Sequence, residues 1–308
     1  LVDDENTTAS SGTLSISCSV KTYVPDDSFE NYLETHDRFN QLVPLGDVSS
    51  MGDGIANNDS VYTANISTVD TLWMPGWDLV MVINDLTGLE DFMALKVLEI
   101  SGNWVGDLSL NDNVNLEYFY CSMGGLSSLD LSSCMNLKIL FCDNNTFLST
   151  LNIPQSDSLE LIECQSNQLS SLDLSGTPNL NYFDCSYNQL TYLDLRNGNN
   201  ANCTYSSLNN PDLTCVLVDD PAWSTSNWFD KDTHTFFSDQ TPVVDAGIDQ
   251  MVCSGDSVLL SGNGNTSSYN WNNGVLNNTL FTELPGIYEI ELTSTMEYGC
   301  SDKDTVII

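Results

Sequence analysis

From residue 95 onward the chain repeats itself. Leu95, Leu116, Leu137, Leu159 and Leu180 open successive units spaced 21, 21, 22 and 21 residues apart. Each unit follows L-x-x-L-x-C-x-x-N-x-L-x-x-L-D-L. The cysteine position holds Ile100, Cys121, Cys142, Cys164 and Cys185, and the asparagine position holds Asn103, Gly124, Asn145, Asn167 and Asn188. A fixed period constrains the fold more than any other feature here, because one such unit cannot bury its apolar face alone while stacked copies share a continuous core. Around L-x-C the residues alternate apolar and polar, as in "LEYFYC" and "LNYFDC", so the fourth and sixth positions share one face of a short strand. The L-x-x-L-D-L half, as at Leu169 to Leu174 and Leu190 to Leu195, suggests a second extended stretch on the opposite side. The asparagine suits the turn leaving the strand, where its amide can bond the backbone of the next coil. The expected fold is a mainly β solenoid.

The ladder cysteines Cys121, Cys142, Cys164 and Cys185 invite a metal or disulfide reading, and the geometry of a ladder argues against both. Structural zinc draws four ligands to one point at about 2.3 Å, whereas stacked strands set side chains along a line at about 4.8 Å per rung. A disulfide prefers Cβ atoms about 3.8 Å apart. These thiols therefore read as small apolar side chains filling a narrow core. Cys203 and Cys215 lie 12 residues apart and are open to bridging. Cys18 and Cys134 have no assigned partner.

The units resemble bacterial leucine-rich repeats, in the short subclass whose repeat is nearly a doubled ten- or eleven-residue unit and whose strand often carries Cys in place of Leu. The resemblance covers about residues 95–220. The stretches "YVPDDSFENYLETHD", "GDGIANNDSVYTANISTVDTLW" and "INDLTGLEDFMALKVLEIS" are similar to the amino-terminal cap of such arrays in surface proteins of bacteria that use the type IX secretion system. The segment "RNGNNANCTYSSLNNPDLTCVLVDDPAWSTSNWFDKDTHTFFS" is similar to their closing segment, except that Asp239, Gln240 and Thr241 stand where a cysteine is expected. Locally, Pro25-Asp26-Asp27-Ser28 supplies helix N-cap oxygens ahead of an i, i+3, i+4 face of Phe29, Tyr32 and Leu33. Such a helix would cover the first strand, an edge otherwise open to pairing.

From Thr241 the texture changes to short period-two runs separated by Gly, Asn and Ser turns, which reads as a small antiparallel β-sandwich. This stretch resembles the immunoglobulin-like and polycystic-kidney-disease-like modules of bacterial surface proteins. The resemblance implies a core disulfide between Cys253 and Cys300 packed by Trp271. Such a bridge would contribute about 4 kcal/mol in the chain-entropy model and implies an oxidising compartment. The expected organisation is a leader or the end of a preceding module over 1–20, an N-terminal cap over 21–94, repeats and closing segment over 95–240, and an Ig-like sandwich over 241–308. The first residue is Leu, and the chain reads as a trimmed piece of a longer one.

Charge narrows the partners. Seven Lys and Arg against 43 Asp and Glu give a formal charge of -36, which repels phosphate backbones and anionic lipid heads. Nucleic acid is therefore not an expected partner. No apolar run approaches the roughly 18 residues a membrane span needs. Catalysis is not expected: His36 and His234 lie at opposite ends of the array, and no nucleophile, P-loop or zinc-protease motif occurs. A polysaccharide-active β-helix would need converging acids and bases, and the repeats offer only Lys96, Lys138 and Arg196 as cations. Asp47, Asp53 and Asp59 sit in a Gly- and Asn-rich loop that lacks the register of a calcium loop, so no cofactor is assigned and a structural calcium stays unassigned. Ser109, Asp130, Asn152, Asp173 and Asp194 form a column that reads as turn residues.

The outward positions of the first strand carry the functional expectation. Position 3 reads Val97, Tyr118, Ile139, Leu161 and Tyr182, and position 5 reads Glu99, Tyr120, Phe141, Glu163 and Asp184. Tyr118, Tyr120, Ile139 and Phe141 would form one exposed apolar patch, with carboxylates at both ends of the second column. A solvated sheet face normally carries polar residues, so such a patch implies a protein partner, a platform for sugar rings, or cover by the protein's own assembly. The chain is thus expected to be a non-enzymatic adhesion or recognition protein, secreted or on the bacterial cell surface. The alternative is a structural subunit of an extracellular appendage. Asn65-Ile66-Ser67 and Asp59-Ser60-Val61 resemble glycosylation signals.

Overall fold

The computed structural model describes residues 20–76, 82–106, 108–250, 257–265, 268–272, 275–277, 279–283, 289–295 and 300–307. Each repeat contributes a three-residue strand to one parallel sheet. In chain order its strands are Thr71–Trp73, Val97–Glu99, Tyr118–Tyr120, Ile139–Phe141, Leu161–Glu163, Tyr182–Asp184 and Thr204–Ser206. Every neighbouring pair is parallel, with equivalent repeat positions opposite one another. The sheet therefore runs one strand beyond the five sequence units at each end.

The second half of each repeat also becomes extended. Ser128–Asp130 pairs with Thr150–Asn152, and Ser171–Asp173, Tyr192–Asp194, Cys215–Leu217 and Phe236–Ser238 form a four-stranded parallel sheet. The leucines of both halves point inward. Leu98, Phe119, Leu140, Ile162 and Phe183 from the first sheet join Leu129, Leu151, Leu172 and Leu193 from the opposite side in one core. At roughly 1.5–3 kcal/mol for each buried large apolar side chain, this continuous core outweighs any local propensity.

The ladder residues close the coils. Cys121, Cys142, Cys164 and Cys185 are free and fully buried. The thiols of Cys121, Cys164 and Cys185 donate to the carbonyl oxygens of Phe141, Asp184 and Ser206 in the following coil, at 3.4, 3.4 and 3.5 Å. Asn145 Nδ2 donates to Cys121 O at 2.9 Å and to Cys142 O at 3.0 Å, while its Oδ1 accepts from Gly124 N at 2.8 Å and Leu126 N at 3.2 Å. Asn167 and Asn188 repeat the donor pattern, and Asn103 applies it to Met74 O and Ile100 O. The asparagine thus ties its own coil to the preceding one, not to the next one as its turn position suggested. Asn210, outside the five units, does the same for Cys185 O and Ser207 O.

The helix Asp27–Thr35 is capped by Asp26, whose carboxylate accepts from Ser28 N and Phe29 N at 2.9 Å. Phe29, Tyr32 and Leu33 enter the solenoid core, and the Phe29 ring lies 6.2 Å from that of Phe92. Glu30 and Glu34, one turn apart on the same helix, are also buried. Glu30 accepts backbone N–H from Asn58 and Asp59, and Glu34 accepts from Asp53 and Gly54. The two glutamates hold the 53–59 loop against the helix by charge-assisted hydrogen bonds.

Beyond residue 241 the described strands are antiparallel. Ser257–Ser261 pairs with Thr279–Glu283, and Glu289–Thr295 pairs with both Ser268–Trp271 and Ser301–Ile307. Val258, Leu260, Trp271, Leu280 and Val306 share a separate core. The expected Cys253–Cys300 bridge is corrected: Cys300 pairs with Cys215, 85 residues earlier, with Cα atoms 5.1 Å apart. The pairing follows from which sulfur lies within reach. Cys300 precedes the strand Ser301–Ile307 where that strand meets the second solenoid sheet, and Cys215 opens a strand of that sheet. Cys253 lies outside the described residues, as does Cys18. Trp271 is fully buried and donates from Nε1 to Asn277 O at 2.9 Å. Cys203 is free and buried, so it does not bridge to Cys215.

Candidate recognition face

Register converts the two outward positions into two columns on the first sheet. Tyr118, Ile139, Leu161 and Tyr182 stand in line at position 3, preceded by Val97. Glu99, Tyr120, Phe141, Glu163 and Asp184 stand in line at position 5. In the four strands from Tyr118–Tyr120 to Tyr182–Asp184 the middle residue is buried and the flanking ones are half-buried, because side chains on rungs about 4.8 Å apart cover each other.

The position-5 column is longer than the repeats imply. Trp73 stands opposite Glu99 and is 52% exposed. Its ring reaches that of Tyr120 at 6.3 Å between centroids, and Tyr120 stacks on Phe141 at 5.3 Å and 16°. Trp73, Tyr120 and Phe141 are one aromatic run, and Trp73 and Tyr120 meet across the rung that Glu99 occupies. Glu99 is accordingly 7% exposed rather than solvated, and its Oε1 accepts from Ser101 N at 2.8 Å. The sequence carries a signal for Trp73: V-x-x-L-x-M at Val69 to Met74 has the spacing of L-x-x-L-x-C, and Trp73 occupies its fifth place. The longer 26-residue step to Leu95 hides it.

Charge surrounds this run unevenly. At the second position of the units, just ahead of the strands, Lys96 and Lys138 both pair with Glu117, at 3.1 and 2.6 Å, and these hydrogen bonds hold the Glu117 carboxyl below the usual range. Lys138 also lies 5.7 Å from the Tyr118 ring centre. At the other end Glu163 is pushed up by burial and by the carboxylates of Asp143 and Asp184, against a weaker hydrogen bond from Gln165. Burial, together with Tyr118 and Glu99, raises the Tyr120 hydroxyl. Burial and the carboxylates of Glu163 and Asp184 do the same at Tyr182. The face can stack flat groups, accept hydrogen bonds and attract cations at both ends.

The other groups considered from sequence lie elsewhere. His36 stacks on Tyr32 at 4.0 Å, with Nδ1 3.0 Å from Tyr32 O, beside a cleft of about 290 Å³ that Trp73 and Pro75 also line. Asp47 accepts from Ser49, and Asp53 pairs with Lys21 at 2.5 Å. Asp27, Glu30 and Asp59 bring carboxylate oxygens within 4.8 Å of one another. They are the set among the described residues from which a cation site would be built, although both Glu30 oxygens already accept backbone N–H. Asp130 and Asp173 accept from the N–H two residues on, as turn residues do. Asp194 accepts likewise from Arg196 N and is also gripped by the Arg196 guanidinium. Asn65 donates to Gly52 O, which occupies the amide of that sequon. No helix among the described residues is long and apolar enough to cross a membrane.

No protein-family model and no curated protein matches the chain. Among solved structures it is similar to a functional domain of InlJ from Listeria monocytogenes described as including a cysteine ladder. The identity is 14% over 94% of this chain and 98% of that one, with a TM-score of 0.23. It is also similar to the Listeria monocytogenes internalin InlF, at 15% identity over 70% of this chain and 68% of that one, TM-score 0.36. Internalin C2 of the same species is 17% identical over 65% of this chain and 99% of that one, TM-score 0.29. At these scores the likeness adds no weight, and the fold stands on the strand register and ladder hydrogen bonds above.

Proposed function

We infer that the chain is a non-enzymatic recognition protein that works outside the bacterial cell, secreted or on the surface, and binds a partner through the strand face. The observation that carries this is the aromatic run of Trp73, Tyr120 and Phe141 on a sheet face where polar residues are the norm. In this reading the leucine-rich-repeat-type solenoid is the scaffold, the helix Asp27–Thr35 closes its first end, and the trailing strands form an immunoglobulin-like module that spaces or orients it. The disulfide and the acidic surface fit an oxidising, cation-rich exterior. The test compares the chain with its Tyr120→Ala/Phe141→Ala variant for binding to intact bacterial cells and their shed surface polymers, after both are shown to melt alike. Loss of binding in the variant supports the reading. Equal binding, or none by either, favours a face covered by the protein's own assembly.

A further inference from the structure

We propose that the partner of this face presents two cationic side chains on either side of an apolar or aromatic one. The first would seat on the Trp73 and Tyr120 rings over Glu99, and the second against Glu163 and Asp184. This rests on the recognition reading above and assigns the chemistry of what is recognised.

The first half of the inference comes from Glu99. The residue is 7% exposed and stands in register between Trp73 and Tyr120, whose rings meet at 6.3 Å, and among the described residues its carboxylate accepts from Ser101 N. None of the ion pairs among the described residues includes it. A carboxylate drawn out of water with so few partners is costly unless a cation compensates it. A cation resting on Trp and Tyr faces also gains from the ring quadrupoles, so one group satisfies both demands. The chain cannot easily supply that cation, since it has only 7 Lys and Arg, and Lys96 and Lys138 on this side of the sheet are engaged by Glu117.

The second half comes from the opposite end of the run. Asp143, Glu163 and Asp184 crowd there, and the ion pairs among the described residues include none of them. Glu99 and Glu163 are three rungs apart, or about 14 Å at about 4.8 Å per rung. An extended peptide laid along the columns covers that distance in about four residues, with alternate side chains on one face. The matching pattern is therefore cationic at i and i+4 with an apolar or aromatic residue at i+2, which would rest on Tyr120 and Phe141.

The test titrates the full chain with acetyl-Arg-Ser-Phe-Ser-Arg-amide and with the same peptide carrying citrulline for arginine, followed by calorimetry. Citrulline keeps the shape and removes the charge. The arginine peptide should bind saturably and the citrulline peptide at least about tenfold more weakly. Glu99→Gln and Glu163→Gln should each weaken the arginine peptide by about fivefold or more and leave the citrulline peptide unchanged. The amide introduced by Glu99→Gln keeps an acceptor for Ser101 N; should that variant not fold, Glu163→Gln decides. Equal binding of the two peptides, indifference to both glutamate changes, or no saturable binding would overturn the proposal. If Tyr120→Ala/Phe141→Ala still abolishes binding to cells in that case, recognition by this face stands and only its preference for cations is lost.

Discussion

At the residue scale the solenoid depends on two recurrent devices. One is the buried asparagine, which answers four backbone groups in two coils. Asn145→Ala would strand Cys121 O, Gly124 N and Leu126 N and leave Cys142 O with Asn167 Nδ2 as its partner, at a cost of about 3 kcal/mol. Urea denaturation of the variant checks this, and a loss below about 1 kcal/mol would show that water replaces the amide. The other device is a left-handed residue one place before the asparagine position: Met123, Asn144, Ser166, Tyr187 and Asn209 have φ of 56 to 61°. Asparagine tolerates that conformation, whereas tyrosine and methionine are strained in it. Tyr187 is exposed, so Tyr187→Asn should raise stability by roughly 0.5–1 kcal/mol, read as a higher melting temperature. A lower one would mean the ring makes a contact worth more than the strain. The ladder thiols are raised by burial, well above the ordinary range at Cys121, Cys164 and Cys185, and those of Cys134 and Cys203 are pushed up to about 11 and about 12. Alkylation of the folded chain at about pH 8.5 should leave all of them unmodified until denaturant is added.

At the element scale, the pair Asp194 and Arg196 at the end of the strand Tyr192–Asp194 gives the second sheet an acid-sensitive point. Burial pushes the Asp194 carboxyl up, but the hydrogen bonds and charge of Arg196 outweigh it and hold the pKa below the ordinary 3.8. A depressed carboxyl stabilises the folded state fully above its unfolded pKa, and this contribution is lost as pH falls through the folded one. Asp194→Asn should therefore lower stability at neutral pH and flatten the stability curve below about pH 4. An unchanged acid limb would assign it to other carboxylates. The elements themselves were legible in the sequence because leucines at fixed spacing specify both strand halves. The strands Thr71–Trp73 and Thr204–Ser206 were not: the first unit lies 26 residues before Leu95 and has Met74 in the cysteine place, and the last keeps a 22-residue step but puts Asn202 in the place of the opening leucine and Ser207 in that of the cysteine. The same broken period hides Trp73, and the burial of Glu99 depends on Trp73 standing beside it.

For the whole molecule, the unexpected feature is the link between Cys215 and Cys300, which ties the trailing strands to the solenoid instead of bracing their own core. The resemblance of 241–308 to an immunoglobulin-like module implied a local bridge, but a sequence does not reveal that Cys300 lies beside the second solenoid sheet. Peptide mapping of the oxidised chain should recover a peptide joining Cys215 to Cys300, and Cys253→Ser should leave it in place. Recovery of a Cys253–Cys300 peptide would restore the local pairing. Replacing both cysteines, Cys215→Ser with Cys300→Ser, should speed proteolysis near 239–243 while the solenoid melts nearly unchanged. The central claim, that the strand face is the recognition surface, is tested most directly by a photoreactive benzophenone side chain placed at Phe141 and, separately, at Tyr187, with irradiation on intact cells. The account predicts a cross-link from position 141 to a molecule other than this chain and none from position 187. A cross-link only from 187, or from 141 only to a second copy of the chain, would contradict it.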